Sequence, residues 1–222
     1  MKKNNVQLKI YPSDEYTPID SHDPLKFYFI PGIKNLYRDR LKRCLAECTG
    51  GEKILEVGFG SGLTFPNLEN LYHQIFGIEK NDPVAIAKIE KYFRQRNIHV
   101  SLSSGDLLNM PYKDNEFDTV LIISVLEHLH PHEQTRAFSE LHRIIRPSGQ
   151  LVYGVPIDRP LMTFLYRFLG FRIKNFHFSD QDVIQRNAKK QFQCIDFENL
   201  NAFGLKPFSV YQVVHCQKSI IN

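Results

Sequence analysis

The chain of 222 residues lacks any C-x-x-C pair, although it contains four cysteines. Such pairs are typical of structural zinc sites and redox motifs, so neither is predicted. Two of the cysteines lie on one predicted helix and the other two stand alone. We therefore expect buried thiols in a reducing compartment rather than disulfides or metal ligands. The four are Cys44, Cys48, Cys194 and Cys216.

Long apolar runs and a leader sequence are also missing. No apolar stretch approaches the roughly 18 residues that a membrane-spanning helix needs. A polar stretch follows Met1, where a signal peptide would have an apolar core. We therefore expect a cytoplasmic protein.

Charge of one sign is not in strong excess, since the formal net charge is +4 and the pI is about 8.8. The basic residues are spread along the chain, whereas a nucleic-acid-binding surface needs them clustered. A nucleic-acid partner is therefore not expected. No feature of the sequence indicates an obligate protein partner.

From residue 49 onward, short apolar runs alternate with segments of helical periodicity. Five strands are predicted at Lys53–Val57, Gln74–Ile78, Ile98–Leu102, Phe117–Ser124 and Gln150–Val155, and two more at Phe192–Leu200 and Phe208–Cys216. Helices are predicted over Pro31–Cys48, 63–72, Pro83–Arg96, Gln134–Ile145 and Ser179–Lys190, the last with Ser179 as its cap.

This alternation predicts an α/β fold, a doubly wound, mostly parallel sheet with helices on both faces. Ligands in such sheets bind at the carboxyl ends of the strands. We divide the chain into an N-terminal cap with the first helix, 1–48, and a core, 49–222. Within the core, 157–191 is predicted to be an insertion on the acceptor side.

A glycine turn directly follows the first predicted strand, with glycines at Gly58, Gly60 and Gly62. No lysine follows, so a triphosphate-binding P-loop is not indicated. The third glycine comes one residue too early for the dinucleotide motif G-x-G-x-x-G. Glu56 precedes the turn, and its carboxylate would repel a pyrophosphate. That carboxylate suits a ligand with an ammonium and a sulfonium group, which are the charges of S-adenosylmethionine.

Further polar residues follow the next strands. Glu79, with Lys80 beside it, ends the second strand, roughly 20 residues after the turn, where nucleotide folds place a ribose-binding carboxylate. Asp106 and Leu107 follow the third strand and suit an adenine amino group and ring face. Ser124 follows the fourth strand, where the reacting methyl group is expected.

These stretches resemble the class I S-adenosylmethionine-dependent methyltransferases, in particular the small-molecule (type 11) branch that includes quinone-biosynthesis C-methyltransferases. The matching pieces cover residues 53 to 156: I-L-E-V-G-F-G-S-G, F-G-I-E, G-D-L-L-N-M-P-Y, N-E-F-D-T-V-L-I-I-S-V-L-E-H-L and L-H-R-I-I-R-P-S-G-Q-L-V-Y-G-V-P. The resemblance implies a seven-stranded sheet whose last strand is antiparallel. It also implies cofactor contacts at Glu56, Gly58, Gly60, Glu79, Asp106, Leu107 and Ser124. Phe59 departs from the family, which often has a small residue or cysteine there.

The acceptor side is less defined by the sequence. His128 and His177 are the candidate catalytic bases or substrate contacts, each weighed against a structural role. Alternating histidines at 128, 130 and 132 are interrupted by Pro131, and no metal site is predicted. The aromatic segment 161–171 is interpreted as core, as a pocket lid or as a peripheral membrane contact, since arginines flank it.

The predicted function is methyl transfer from S-adenosylmethionine to an O, N or C atom of a small-molecule acceptor. The N/D-P-P-Y/W tetrapeptide of enzymes that methylate amino groups is missing after the fourth strand. The alternatives are a nicotinamide-dependent reductase and a relative that binds the cofactor without catalysis.

Overall fold

A computed structural model describes residues 6–157, 177–201 and 209–219. Its strands are β1 (Gly51–Val57), β2 (Tyr72–Glu79), β3 (Val100–Ser104), β4 (Phe117–Ile123), β5 (Ile145–Pro156), β6 (Gln193–Asn201) and β7 (Ser209–Gln217). Its α-helices are α1 (Lys34–Glu47), α2 (Phe65–Leu68), α3 (Pro83–Arg94), α4 (Pro131–Ile144) and α5 (Gln181–Gln191). Short 3₁₀ turns occur at Ser13–Glu15, Pro24–Tyr28 and Leu126–His128.

The strands form one seven-stranded sheet in the order β3-β2-β1-β4-β5-β7-β6. Pairing is parallel from β3 through β5, and β7 runs antiparallel to both of its neighbours. The predicted α/β fold with a mostly parallel, doubly wound sheet is therefore confirmed. The strand order reverses between β1 and β4, which places a ligand-binding crevice at the carboxyl ends of these two strands.

Alternate residues of the central strands point to opposite faces of the sheet, and each face is covered. Ile54 of β1 and Leu121 of β4 belong to the core cluster that includes α1 and α3. Their neighbours Leu55 and Val120 belong to a second cluster that includes α4 and α5. All four side chains are completely buried, as expected of strands between two helical layers.

Some predicted boundaries are wrong for local reasons. Helix α4 begins at Pro131 rather than Gln134, because proline fits a first helical turn and Glu133 caps the backbone amide of His130. Helix α5 is capped by Asp180, whose side chain accepts hydrogen bonds from two backbone amides. The predicted cap, Ser179, instead donates to the Leu129 carbonyl at 2.8 Å.

The other differences concern lengths. Helix α2 covers Phe65–Leu68 instead of 63–72, since β2 already begins at Tyr72. Strand β5 begins at Ile145, directly after α4, instead of at Gln150.

The expectation of free thiols is wrong for two of the four cysteines. Cys194 of β6 and Cys216 of β7 are partners in the strand register and form a disulfide. Cys44 of α1 and Cys48, which directly follows this helix, are reduced thiols and completely buried, as predicted. Burial raises the pKa of both thiols, so neither is a reactive thiolate.

The predicted acceptor-side insertion lies mostly outside the described residues, including the whole aromatic segment 161–171. Its predicted roles as core, lid or membrane contact remain predictions, as does the division at residue 48. Over the ranges that the structure describes, none of the helices combines the length and apolar composition of a bilayer span.

Lys218, just after β7, is a buried cation that ties this strand to the α4–β5 corner. Its Nζ donates to Asn115 Oδ1 and to the carbonyls of His142 and Ile145 at 2.6–2.8 Å. We expect Lys218→Met to lower the free energy of unfolding by about 2–4 kcal/mol, since buried carbonyls lose a charged donor. Urea unfolding measures this loss. Lys88→Met on the exposed face of α3 is the control, and equal effects of the two substitutions would contradict the interpretation.

Candidate cofactor-binding site

A cavity of about 890 Å³ lies at the carboxyl ends of the parallel strands. Its lining comes from the residues that follow β1, β2, β4 and β5, from the start of β7, and from the N-terminal segment with α1. Ligand pockets commonly measure about 300–1,000 Å³, so this one is large for a single small ligand. The volume suits two ligands bound side by side.

The glycine turn forms one wall of this cavity. Gly58 and Gly60 have φ values of +72° and +51°, in the left-handed region that favours glycine. A Cβ atom on Gly58 would lie 2.2 Å from Cγ2 of Val125, so no side chain fits there. The Gly58 amide donates to the Ile78 carbonyl at 2.8 Å, which fixes the turn against the end of β2.

Three carboxyl groups surround the turn. Glu56 is only 3% exposed and accepts a hydrogen bond from the Thr64 hydroxyl. Glu79 accepts the Gly60 amide at 3.0 Å, and Asp23 accepts the Ser61 hydroxyl. The donors are neutral groups, so the negative charge is not cancelled by them.

Burial raises the pKa of Glu56 from its ordinary value of 4.5 to about 8. Burial also raises the pKa of Glu79, and repulsion from Asp20 and Asp23 raises it further. Buried, mutually repelling carboxylates are relieved by a cation. In the described residues no group of three or more His, Cys, Asp or Glu side chains has the arrangement of a metal site. A positively charged group on a ligand would relieve this repulsion.

The structure brings seven of the predicted site residues together in the cavity lining. They are Glu56, Gly58, Gly60, Glu79, Ser124, His128 and His177. Four others lie outside it. Gly62 packs against Phe65 and Phe93, Lys80 and Asp106 form an ion pair at 2.8 Å, and Leu107 is buried in the core. Contact of these four with a cofactor remains a prediction.

The far wall of the cavity carries hydroxyl and imidazole groups. The Ser124 and Tyr211 hydroxyls are 2.9 Å apart. The rings of His128 and His177 are separated by 5.6 Å between centroids. The backbone amides of Phe178 and Ser179 donate to the Glu127 carbonyl, which holds His177 next to the loop of His128.

Asp23, Arg40 and Tyr211 are among the lining residues that sequence reasoning missed. Asp23 could have been found as the N-cap before Pro24, since its Oδ1 accepts the Leu25 amide at 2.9 Å. Arg40 and Tyr211 belong to no motif, and only the fold brings them together. Tyr28 and Tyr37 also line the cavity.

The raised pKa of Glu56 makes stability depend on pH. Because the folded state favours the protonated carboxyl, the free protein loses stability as pH rises from about 5 to 8, by roughly 1.4 kcal/mol per pH unit from this residue. Glu56→Gln removes that slope, because the amide oxygen still accepts the Thr64 hydroxyl. Urea unfolding at several pH values checks this. Exposed Glu52→Gln on the same strand is the control, and parallel slopes for Glu56→Gln and wild type would refute the assignment.

The chain matches known proteins over the segment that builds this site. A family model described as a methyltransferase domain matches residues 55–153. An uncharacterized methyltransferase of Anoxybacillus flavithermus is 28% identical over 104 residues, 47% of this chain and 47% of that protein. The probable tRNA methyltransferase 9B of Homo sapiens is 29% identical over 147 residues, 65% of this chain and 27% of that protein. The chain thus spans less than half of these relatives.

The fold has solved counterparts. The N-methyltransferase NodS from Bradyrhizobium japonicum WM9, in complex with S-adenosyl-l-homocysteine, superposes with a TM-score of 0.69. The alignment covers 90% of this chain and 94% of NodS at 17% identity, so the likeness concerns the fold. The family match therefore identifies residues 55–153, which include the acidic glycine turn, as a methyltransferase domain, and the likeness to NodS supports the fold of the chain around it.

Proposed function

We propose that this protein transfers a methyl group from S-adenosylmethionine to a small-molecule acceptor. The observation that supports it most is the division of one cavity into two walls. The acidic glycine turn forms the first wall, and the hydroxyls and imidazoles around Ser124 form the second. A cationic nucleoside on the first wall would leave the rest of the cavity for an acceptor.

The residues of the first wall fit the cofactor by charge. Glu79 would accept ribose hydroxyls, the amides of the glycine turn would contact the amino-acid part, and Glu56 would offset positive charge. When bound, S-adenosylmethionine supplies a sulfonium methyl group whose leaving group is a neutral thioether. The protein therefore has mainly to align the two reactants and to exclude water.

His128 and His177 are the proposed bases for an acceptor that must lose a proton. Both line the proposed acceptor side of the cavity. Glu127 directly precedes His128, and its backbone carbonyl accepts hydrogen bonds from the amides of Phe178 and Ser179, which follow His177. Burial raises the pKa of Glu127, while His128 and His177 act in the opposite direction.

The acidic rim supports a small acceptor over a nucleic acid. Asp20, Asp23 and Glu79 line the cavity on the cofactor side, where they would repel a phosphate backbone. The same carboxylates disfavour the pyrophosphate of a nicotinamide cofactor, which counts against the reductase alternative. A tRNA acceptor, suggested by the name of one relative, is therefore the less favoured substrate.

Localisation in the cytoplasm also remains a proposal from the sequence. Disulfides are rare in reducing cytoplasm, so the bond between Cys194 and Cys216 is a feature that this address does not explain. Peripheral membrane contact rests on residues that the structure does not describe, and it remains a prediction.

We expect Glu79→Ala to weaken binding of S-adenosylhomocysteine about 10- to 100-fold, because a buried, charged hydrogen-bond acceptor is lost. Isothermal titration calorimetry measures the affinity, and exposed Glu52→Ala is the control.

Wild-type protein should bind S-adenosylhomocysteine and not NADH. Tight NADH binding without S-adenosylhomocysteine binding would reverse the proposal in favour of a reductase.

A further inference from the structure

Arg40, on the cavity side of α1, is held between aromatic rings. Its guanidinium carbon lies 3.8 Å from the ring centroid of Tyr37 and 5.1 Å from that of Tyr211. Both rings also line the cavity. The two cation–π contacts restrict the orientation of the guanidinium, and they supply no formal negative charge.

Within the part of the chain that the structure describes, no salt bridge joins Arg40 to a carboxylate. The side chains that act on its charge most strongly are Tyr28, Tyr211 and Tyr37, and Tyr28 is also its hydrogen-bond partner. Its Nε has no hydrogen-bond partner among residues 6–157, 177–201 and 209–219. Glu127 feels Arg40 less than it feels His128 and His177, and burial raises the pKa of this carboxyl.

Desolvating an arginine in such a position without an anionic partner costs free energy. A guanidinium is charged at every physiological pH, so it cannot shed its proton as a buried lysine can. Its free N–H groups form a planar fork that matches a carboxylate in bidentate fashion. A ligand anion placed in the cavity would therefore offset the desolvation of this cation.

The other residues that line this wall indicate the chemistry of the rest of the ligand. Besides the tyrosines, the histidines, Ser124 and Glu127, this lining is apolar, and it includes Leu36, Ile157, Val210 and Phe27. A pocket of this kind favours a flat or extended apolar body with one polar anchor. Several cationic donors would be needed to hold a phosphate dianion, whereas the described lining here offers one arginine.

We propose that the acceptor is an aromatic or aliphatic carboxylic acid whose carboxylate is bound by Arg40. This inference rests on the proposed function and adds the substrate class to it. Arg40 then serves as a binding residue that orients the acceptor. The body of the acceptor lies along the apolar wall, and the acceptor's reactive atom points towards Ser124. The rival partner for Arg40 is the carboxylate of the cofactor itself.

The test uses calorimetry on protein saturated with S-adenosylhomocysteine, in a buffer without carboxylate or phosphate. The probes are benzoate, trans-cinnamate and decanoate, each compared with its methyl ester. We expect at least one acid to bind about tenfold more tightly than its ester, as a charge-assisted bidentate pair would give. Phenyl phosphate is included, and if it bound more tightly than every acid the carboxylate assignment would be overturned.

Two variants of α1 complete the test. Arg40→Met should abolish the preference for the acid and leave the affinities for the ester and for S-adenosylhomocysteine unchanged. Arg43→Met is the control, because Arg43 pairs with Glu198 and is not among the cavity-lining residues. Arg40→Lys keeps the charge but loses the planar fork, so it should retain part of the preference.

Three results would overturn the inference. They are equal affinity of every acid and its ester, an acid preference that survives in Arg40→Met, and a loss of S-adenosylhomocysteine affinity in Arg40→Met that assigns Arg40 to the cofactor. Thermal unfolding shows whether each variant is folded. If wild-type protein failed to bind S-adenosylhomocysteine at all, the proposed function itself would fail, which separates the two hypotheses.

Discussion

The site depends on carboxylates that are buried next to a backbone turn without a cation of their own. Glu56 lies at the end of the central strand β1 and is almost fully enclosed, while Glu79 ends the neighbouring strand and accepts an amide of the turn. Folding places both at the crevice where the strand order reverses. Under the proposed function, the energetic cost of this burial favours a positively charged nucleoside at this wall.

The fold extends this constraint into a two-part cavity. The residues at the carboxyl ends of the parallel strands β1, β2 and β4 form the acidic wall, because these ends meet at the same edge of the sheet. The antiparallel β7 enters beside β5 and brings Tyr211 opposite Pro156, next to the end of the parallel strands. The helix α1 then covers the opening with Tyr37 and Arg40. Cofactor and acceptor walls thus come from different parts of one sheet.

Short sequence patterns predicted the features that neighbouring residues determine, namely the strands and the glycine turn. The five parallel strands and the glycine turn could be located because apolar runs end in glycine or acidic residues, and Glu56 gave the charge of the ligand. Arg40 and Tyr211 could not be found, since 171 residues separate them and their contact exists only through the sheet order. The cysteine pair escaped prediction for the same reason, because strand register alone makes Cys194 and Cys216 neighbours.

The most direct test of the central claim is a crystal structure of the protein with S-adenosylhomocysteine. The account predicts electron density for the adenosyl group between the Gly58–Gly60 turn and Glu79, with the sulfur atom facing Ser124. Density for this ligand at any other surface, or a turn that holds a phosphate group in its place, would contradict the account.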